Sequence, residues 1–81
     1  MPWYVYVVEC KDGSLYTGIA KDVEERIALH NAGKGAKYTR GRGPVRVVAE
    51  SKAMRSMGKA LKLEAKIKKL RDRAKKLSSL L

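Results

Sequence analysis

Trp3-Tyr4-Val5-Tyr6-Val7-Val8-Glu9-Cys10-Lys11-Asp12-Gly13-Ser14-Leu15-Tyr16-Thr17-Gly18 is the stretch around which the rest of the chain is arranged. Its first half is aromatic and β-branched, and such side chains pack well on a pleated, half-buried surface. Asp12-Gly13 supplies the positive φ angles of a tight hairpin turn. Leu15-Tyr16-Thr17-Gly18-Ile19 returns as a second strand, so the stretch predicts a β-hairpin. Side chains alternate along a strand, which puts Tyr4, Tyr6 and Val8 on one face and Trp3, Val5 and Val7 on the other. A turn centred on Asp12-Gly13 pairs Tyr16 close to Glu9 and Thr17 close to Val8. Tyr6 and Tyr16 then lie a diagonal step or two apart and reach one region of the sheet surface. Gly18 lets something approach the backbone. Tyrosines are also ordinary strand residues, so the hairpin by itself does not argue for chemistry.

Downstream, Asp22 followed three residues later by Glu25 resembles a capping box and starts a helix. Gly33 suits the left-handed position after it, so the helix ends near Ala32. Val23 and Ile27 form its inward stripe, His30 falls between them on the helical wheel, and Arg26 sits at the stripe's edge. A histidine and an arginine there either pair with a carboxylate or line a pocket; a satisfied structural histidine is the plainer reading. The aperiodic stretch from Gly33 to Pro44 is a loop. Its cations, Lys37, Arg40 and Arg42 among them, suit phosphate, and Tyr38 offers a ring to a base. An ordinary solvated loop is the alternative.

Val45–Glu50 alternates as a third strand, and Ser51–Arg55 leads onward. Ser56 caps a second helix running to about Leu70, with Met57, Ala60, Leu61 and Ile67 inward. Glu64 falls inside that stripe, where an unpaired carboxylate is costly to desolvate. It therefore needs a partner: a buried cation, a hydrogen-bond donor or a metal ion. Lys59, Lys62, Lys66 and Lys69 form a basic outer surface on the same helix. Asp72 caps a short last helix that turns Ala74, Leu77 and Leu80 inward. The class expected is α+β, with a three-stranded antiparallel sheet flanked by helices, as a single domain over residues 1–81.

Charge narrows the partners. The chain has 19 Lys and Arg against 8 Asp and Glu, a formal net charge of +11. Balanced surface ion-pair networks do not explain such an excess, whereas a polyanionic partner does: DNA, RNA or an anionic membrane, with nucleic acid favoured. The lone Cys10 excludes an internal disulfide and reads as a small packed residue. No apolar run is long enough to span a bilayer and the N-terminus lacks a signal-peptide pattern, so a reducing, cytoplasmic setting is expected.

These residues together resemble the GIY-YIG nuclease superfamily. Its first half-motif stands as Tyr4-Val5-Tyr6 and its second as Tyr16-Thr17-Gly18. The family arginine stands as Arg26, His30-Asn31 follows one helical turn later, and Glu64 occupies the place of the metal-binding glutamate. The likeness is greatest to the small, stand-alone, single-domain bacterial group. That group shares His-Asn, then Gly-Lys-Gly-Ala-Lys-Tyr-Thr-Arg-Gly-Arg, then Pro-Val-Arg, all present here in order. Tyr4 and Val5 replace a Gly and an Ile of the first half-motif, and Thr17 replaces the Ile of the second; both phenols are kept. Many members of the superfamily carry separate DNA-binding domains, and none is expected in these 81 residues.

The resemblance implies metal-assisted hydrolysis of a nucleic-acid phosphodiester, DNA more than RNA. Glu64 would hold one divalent ion, Mg²⁺ in the first place and Mn²⁺ in the second. Tyr6 would take the proton from water and Tyr16 would position the water or the Tyr6 oxygen, though the two phenols could exchange roles. Arg26 would hold the scissile phosphate in its fork of donors, and His30 would accept the proton or hold the phosphate. Without the ion, Glu64 would lean on Arg26. Lys37, Tyr38, Arg40 and Arg42 would contact the nucleic acid. A nucleic-acid-binding module without cleavage, or a structural protein of the ribosome or nucleoid, is the alternative reading.

Overall fold

The computed structural model describes residues 2–80. The elements run β1 (Tyr4–Glu9), β2 (Leu15–Ala20), α1 (Val23–Asn31), β3 (Arg46–Glu50), α2 (Met57–Lys69) and α3 (Arg73–Ser78), with a single 3₁₀ turn at Lys37–Thr39 before β3. The sheet order is β2-β1-β3 and both pairings are antiparallel. The expected α+β class and third strand are thus present.

β1 is the central strand, which explains its sequence. Val5, Tyr6, Val7 and Val8 are all buried, because helices cover the sheet on both faces. Val5 and Val7 pack with Ala49, Ala60, Ile67 and Leu80 beneath α2 and the chain around α3. Tyr6 and Val8 pack with Cys10, Ala20, Val23 and Val45 on the α1 side. Each buried valine, isoleucine or leucine side chain contributes about 1.5–3 kcal/mol. The helix starts are fixed as their sequences require. Asp22, Ser56 and Asp72 accept from the amides of Glu25, Lys59 and Lys75 at 3.0, 3.1 and 3.1 Å. Such caps stabilise a helix by about 1 kcal/mol each.

The hairpin register differs by one residue from the expectation. Tyr16 pairs with Val8 and Leu15 with Glu9, so the loop holds five residues, Cys10 to Ser14. Asp12 sets this turn locally: its carboxylate accepts from both the amide and the hydroxyl of Ser14. Gly13 takes the left-handed conformation, φ 85°. A shift of one residue exchanges the faces of a strand. Here it brings Tyr16 onto the same face as Tyr6 and Val8.

Two further expectations are corrected. Met57 and Leu61 are exposed, at 47% and 43%. The seam of α2 runs instead through Ala60 and Ile67, with Leu63 packed against it. Ala60, the smallest of these side chains, lets the helix approach the sheet closely, and this choice rotates Met57 and Leu61 onto the flank. Ala74 is likewise exposed, and Leu77 and Leu80 carry the packing of the C-terminal turn.

Candidate active site

The site is built outward from Tyr6. Its cross-strand partner on β2, the edge strand, is Gly18. A Cβ placed on Gly18 would lie 2.6 Å from the Tyr6 hydroxyl and 2.8 Å from Cζ. The space the glycine leaves open is therefore occupied by the Tyr6 ring itself, which leans across β2. The hydroxyl is hydrogen-bonded to His30 Nε2 at 2.9 Å.

α1 delivers His30 to this point and the following loop closes over it. His30 Nδ1 is 2.7 Å from Thr39 Oγ1, and the Thr39 hydroxyl is 2.9 Å from the carbonyl of Ala36. Tyr6, His30 and Thr39 are each at most 2% exposed. Gly35 passes so close that a Cβ there would fall 2.2 Å from His30 Nδ1. Asn31 ties the end of α1 to the end of the loop: its Oδ1 accepts from the Val45 amide at 2.7 Å.

Tyr16 meets His30 edge-on, with ring centroids 5.4 Å apart. Tyr38 stacks on Tyr16 at 5.8 Å, and the Arg42 guanidinium lies 4.4 Å from the Tyr38 centroid on a further layer. Arg42 also pairs with Asp12 at 2.6 Å. Tyr38 and Arg42 thus hold the loop against the hairpin. Lys37 and Arg40 are exposed and make no ion pair among the described residues.

The electrostatics separate the phenol from the imidazole. Burial pushes the Tyr6 pKa up; the Arg26 guanidinium beside it pulls the other way, while Tyr16 and Glu64 add to the rise. Burial, then the positive charge of Arg26, pushes the His30 pKa down. Near neutral pH the phenol keeps its proton and the imidazole carries no charge.

Glu64 stands on α2, which covers the other face of the sheet. Its side chain is 17% exposed and its ion-pair partner is Lys68, one turn on, at 3.6 Å. The expected lean on Arg26 is not formed: the nearer cation is the one carried by the same helix. A pair at this distance to an exposed lysine is weak, so the carboxylate remains open to a cation. Among the described residues no group of three or more His, Cys, Asp or Glu converges. An ion at Glu64 would rest on one protein carboxylate, which fits Mg²⁺, an ion that keeps several waters and takes substrate phosphates.

Thr39 and Asn31 are contributors to which the sequence alone assigns no role. Both lie inside patterns noted there, His30-Asn31 and Lys37-Tyr38-Thr39-Arg40.

A three-stranded antiparallel sheet in the order β2-β1-β3, covered by helices on both faces, is the fold of one nuclease-type class. Residues 2–78 match the model of the GIY-YIG catalytic domain, and the chain belongs to the GIY-YIG family. It is similar to UPF0213 protein BH0048 of Halalkalibacterium halodurans, 55% identical over 75 residues, covering 93% of this chain and 79% of that protein. UPF0213 protein SSP2268 of Staphylococcus saprophyticus is 54% identical over 74 residues, covering 91% and 88%. The solution NMR structure of BH0048 superposes with a TM-score of 0.55. That of protein EF2693 from E. faecalis, 38% identical and covering 94% of this chain and 80% of its own, gives 0.61. No helix among the described residues is long and apolar enough to cross a membrane.

Proposed function

We propose that this protein is a divalent-metal-dependent endonuclease that hydrolyses nucleic-acid phosphodiesters, DNA in preference to RNA, in the cytoplasm. The observation that carries the reading is the buried Tyr6 hydroxyl, held 2.9 Å from an uncharged His30 and flanked by Arg26.

The reaction needs a water made nucleophilic and relief of the charge that grows on the phosphoryl oxygens. Tyr6 keeps its proton at rest, so it removes one from water only as it gives one up. His30 Nε2 is placed to receive it. As the water oxygen bonds to phosphorus, its proton passes to the Tyr6 oxygen, the Tyr6 proton passes to His30, and the bond to the leaving oxygen breaks, that oxygen keeping the electron pair and taking a proton from solvent. Arg26 presents its donors to the phosphate and Tyr16 positions the attacking water. Glu64 would hold Mg²⁺ or Mn²⁺, which supplies positive charge to a phosphate oxygen. Lys37 and Arg40 offer free cations to the strand on either side.

Labelled duplex, single-stranded, flap and junction substrates, incubated with purified protein and Mg²⁺ or Mn²⁺, test the reading. Cleavage should vanish with EDTA and with Glu64→Ala, while binding persists. Salt-sensitive binding with no cleavage of any substrate would instead identify a non-catalytic nucleic-acid-binding module.

A further inference from the structure

We infer that Thr39 is a positioning residue: it fixes the tautomer of His30, so that the Nε2 lone pair faces the Tyr6 hydroxyl. The inference deepens the nuclease reading and rests on it for its catalytic meaning.

Three short contacts bear on the tautomer. Tyr6 Oη to His30 Nε2 is 2.9 Å, His30 Nδ1 to Thr39 Oγ1 is 2.7 Å, and Thr39 Oγ1 to the Ala36 carbonyl is 2.9 Å. The Ala36 carbonyl only accepts, so the Thr39 hydroxyl donates to it. A hydroxyl has one proton, and with that proton committed Oγ1 faces Nδ1 as an acceptor. Nδ1 then carries the imidazole proton, and in the neutral ring Nε2 is left to accept from Tyr6. All three contacts are satisfied in one direction: Tyr6 to His30, His30 to Thr39, Thr39 to Ala36.

A fourth contact pulls the opposite way. The Ala36 amide approaches His30 Nδ1 at 3.3 Å, and an amide only donates. It favours the tautomer in which Nδ1 is bare and Nε2 is protonated. In that state Nε2 would be a donor to Tyr6 and could take no proton from it. Ala36 and Thr39 therefore select opposite tautomers. The Thr39 contact is shorter by 0.6 Å, the difference between 3.3 and 2.7 Å, and at these lengths it dominates.

The arrangement also suits the step itself. When Nε2 receives the Tyr6 proton, the imidazolium needs an acceptor on each nitrogen. Thr39 already accepts from Nδ1, and the Tyr6 oxygen becomes the acceptor for Nε2. No group has to turn as the proton moves, which is the form of preorganisation that lowers a barrier. The loop is fixed in this position at two points. Gly35 lets the backbone pass against Nδ1, and Arg42 pins the loop to Asp12.

His30 is the only histidine in the chain, so its tautomer can be read directly. Two-bond ¹H–¹⁵N correlation spectra of the ¹⁵N-labelled full chain above the His30 pKa should show Nδ1 protonated and Nε2 bare. Thr39→Val keeps the shape of the side chain and removes the oxygen, leaving the Ala36 amide as the partner of Nδ1. The spectrum should switch to the Nε2-protonated form, and Thr39→Ser should restore the original one. In cleavage assays Thr39→Val should lower kcat about 100-fold with KM unchanged, and Thr39→Ser should recover most of it. A wild-type spectrum with Nε2 protonated overturns the inference whether or not any variant folds. So does a folded Thr39→Val with an unchanged spectrum, or with unchanged kcat in a protein that cleaves. If the wild-type tautomer is as stated and no substrate is cleaved, the nuclease reading fails while the tautomer assignment stands.

Discussion

The hydroxyl of Tyr6 and Nε2 of His30 lie 2.9 Å apart, joining a central strand to a helix across 24 positions of sequence. Either residue alone has an ordinary structural explanation. Together they rest as a protonated phenol facing an uncharged imidazole; the raised phenol pKa and lowered imidazole pKa oppose transfer at rest, so the proton moves only as charge develops at the phosphate.

Tyr6→Phe keeps the ring over Gly18 and removes the oxygen. Stability should fall by about 1–3 kcal/mol, because His30 Nε2 is left buried without its partner. Cleavage should fall at least about 100-fold. Urea unfolding and single-turnover assays read the two effects separately. A variant that cleaves at the wild-type rate would remove Tyr6 from the mechanism.

Gly18→Ala acts on the same hydroxyl from the neighbouring strand. The new methyl would sit 2.6 Å from the phenol oxygen, so the ring must move. The expected cost is about 1–3 kcal/mol of stability, as for other overpacked sites, and a loss of cleavage similar to that of Tyr6→Phe. A folded, fully active Gly18→Ala protein would mean that the ring does not lie across β2.

Stability should depend on pH at both ends of the scale. The folded protein holds the His30 pKa below its usual value of about 6.5, so below that pH the unfolded chain binds more protons and stability drops as pH falls. The folded protein holds the Tyr6 pKa above its usual value of about 10, so stability drops again as pH rises beyond it. Thermal melts across this range, repeated with His30→Gln and Tyr6→Phe, should show the acid and alkaline slopes flattening respectively. Slopes identical to wild type in both variants would refute the assignment.

Nucleic-acid affinity should fall steeply with added salt, given a net charge of +11. Lys37→Ala and Arg40→Ala should each weaken binding of all sequences alike and reduce the salt slope by about one. Arg42→Ala should differ in kind. It loosens the loop from Asp12 and Tyr38, so its effect should appear in the melting temperature as well. Fluorescence anisotropy at several ionic strengths separates these cases, and salt-independent binding would argue against a phosphate-directed surface.

The sequence displayed most of the architecture, and the reasons are local. Asp22, Ser56 and Asp72 act within one helical turn, and the alternation in β1 is strong enough to mark two faces. What escaped it depends on details that pattern does not carry. The turn was legible as Asp12-Gly13, but its length was decided by side-chain bonds from Asp12 to Ser14. The α2 seam followed Ala60 rather than the larger Met57 and Leu61, because closeness of approach outweighed the size of the apolar side chain. Of the proposed site, Tyr6, Tyr16, Arg26, His30 and Glu64 could be named from separated motifs. The contact of Thr39 with His30 could not, since it arises only when the loop folds back on α1.

α1 and α2 cover opposite faces of the sheet, so in the proposed site His30 comes from one side and Glu64 from the other. The spacing between Glu64 and the proton-transfer pair is therefore a property of the molecule's thickness, like the jaw setting of a calliper. Ala60, fully buried under α2, is the shim. Ala60→Val should lift α2 and change the Mn²⁺ concentration needed for half-maximal cleavage while leaving the His30 spectrum as it was. An unchanged metal requirement in the folded variant would show that the jaw is set elsewhere. Where the requirement does change, relatives with other residues at this seam should differ in metal demand while keeping the residues of the proposed site.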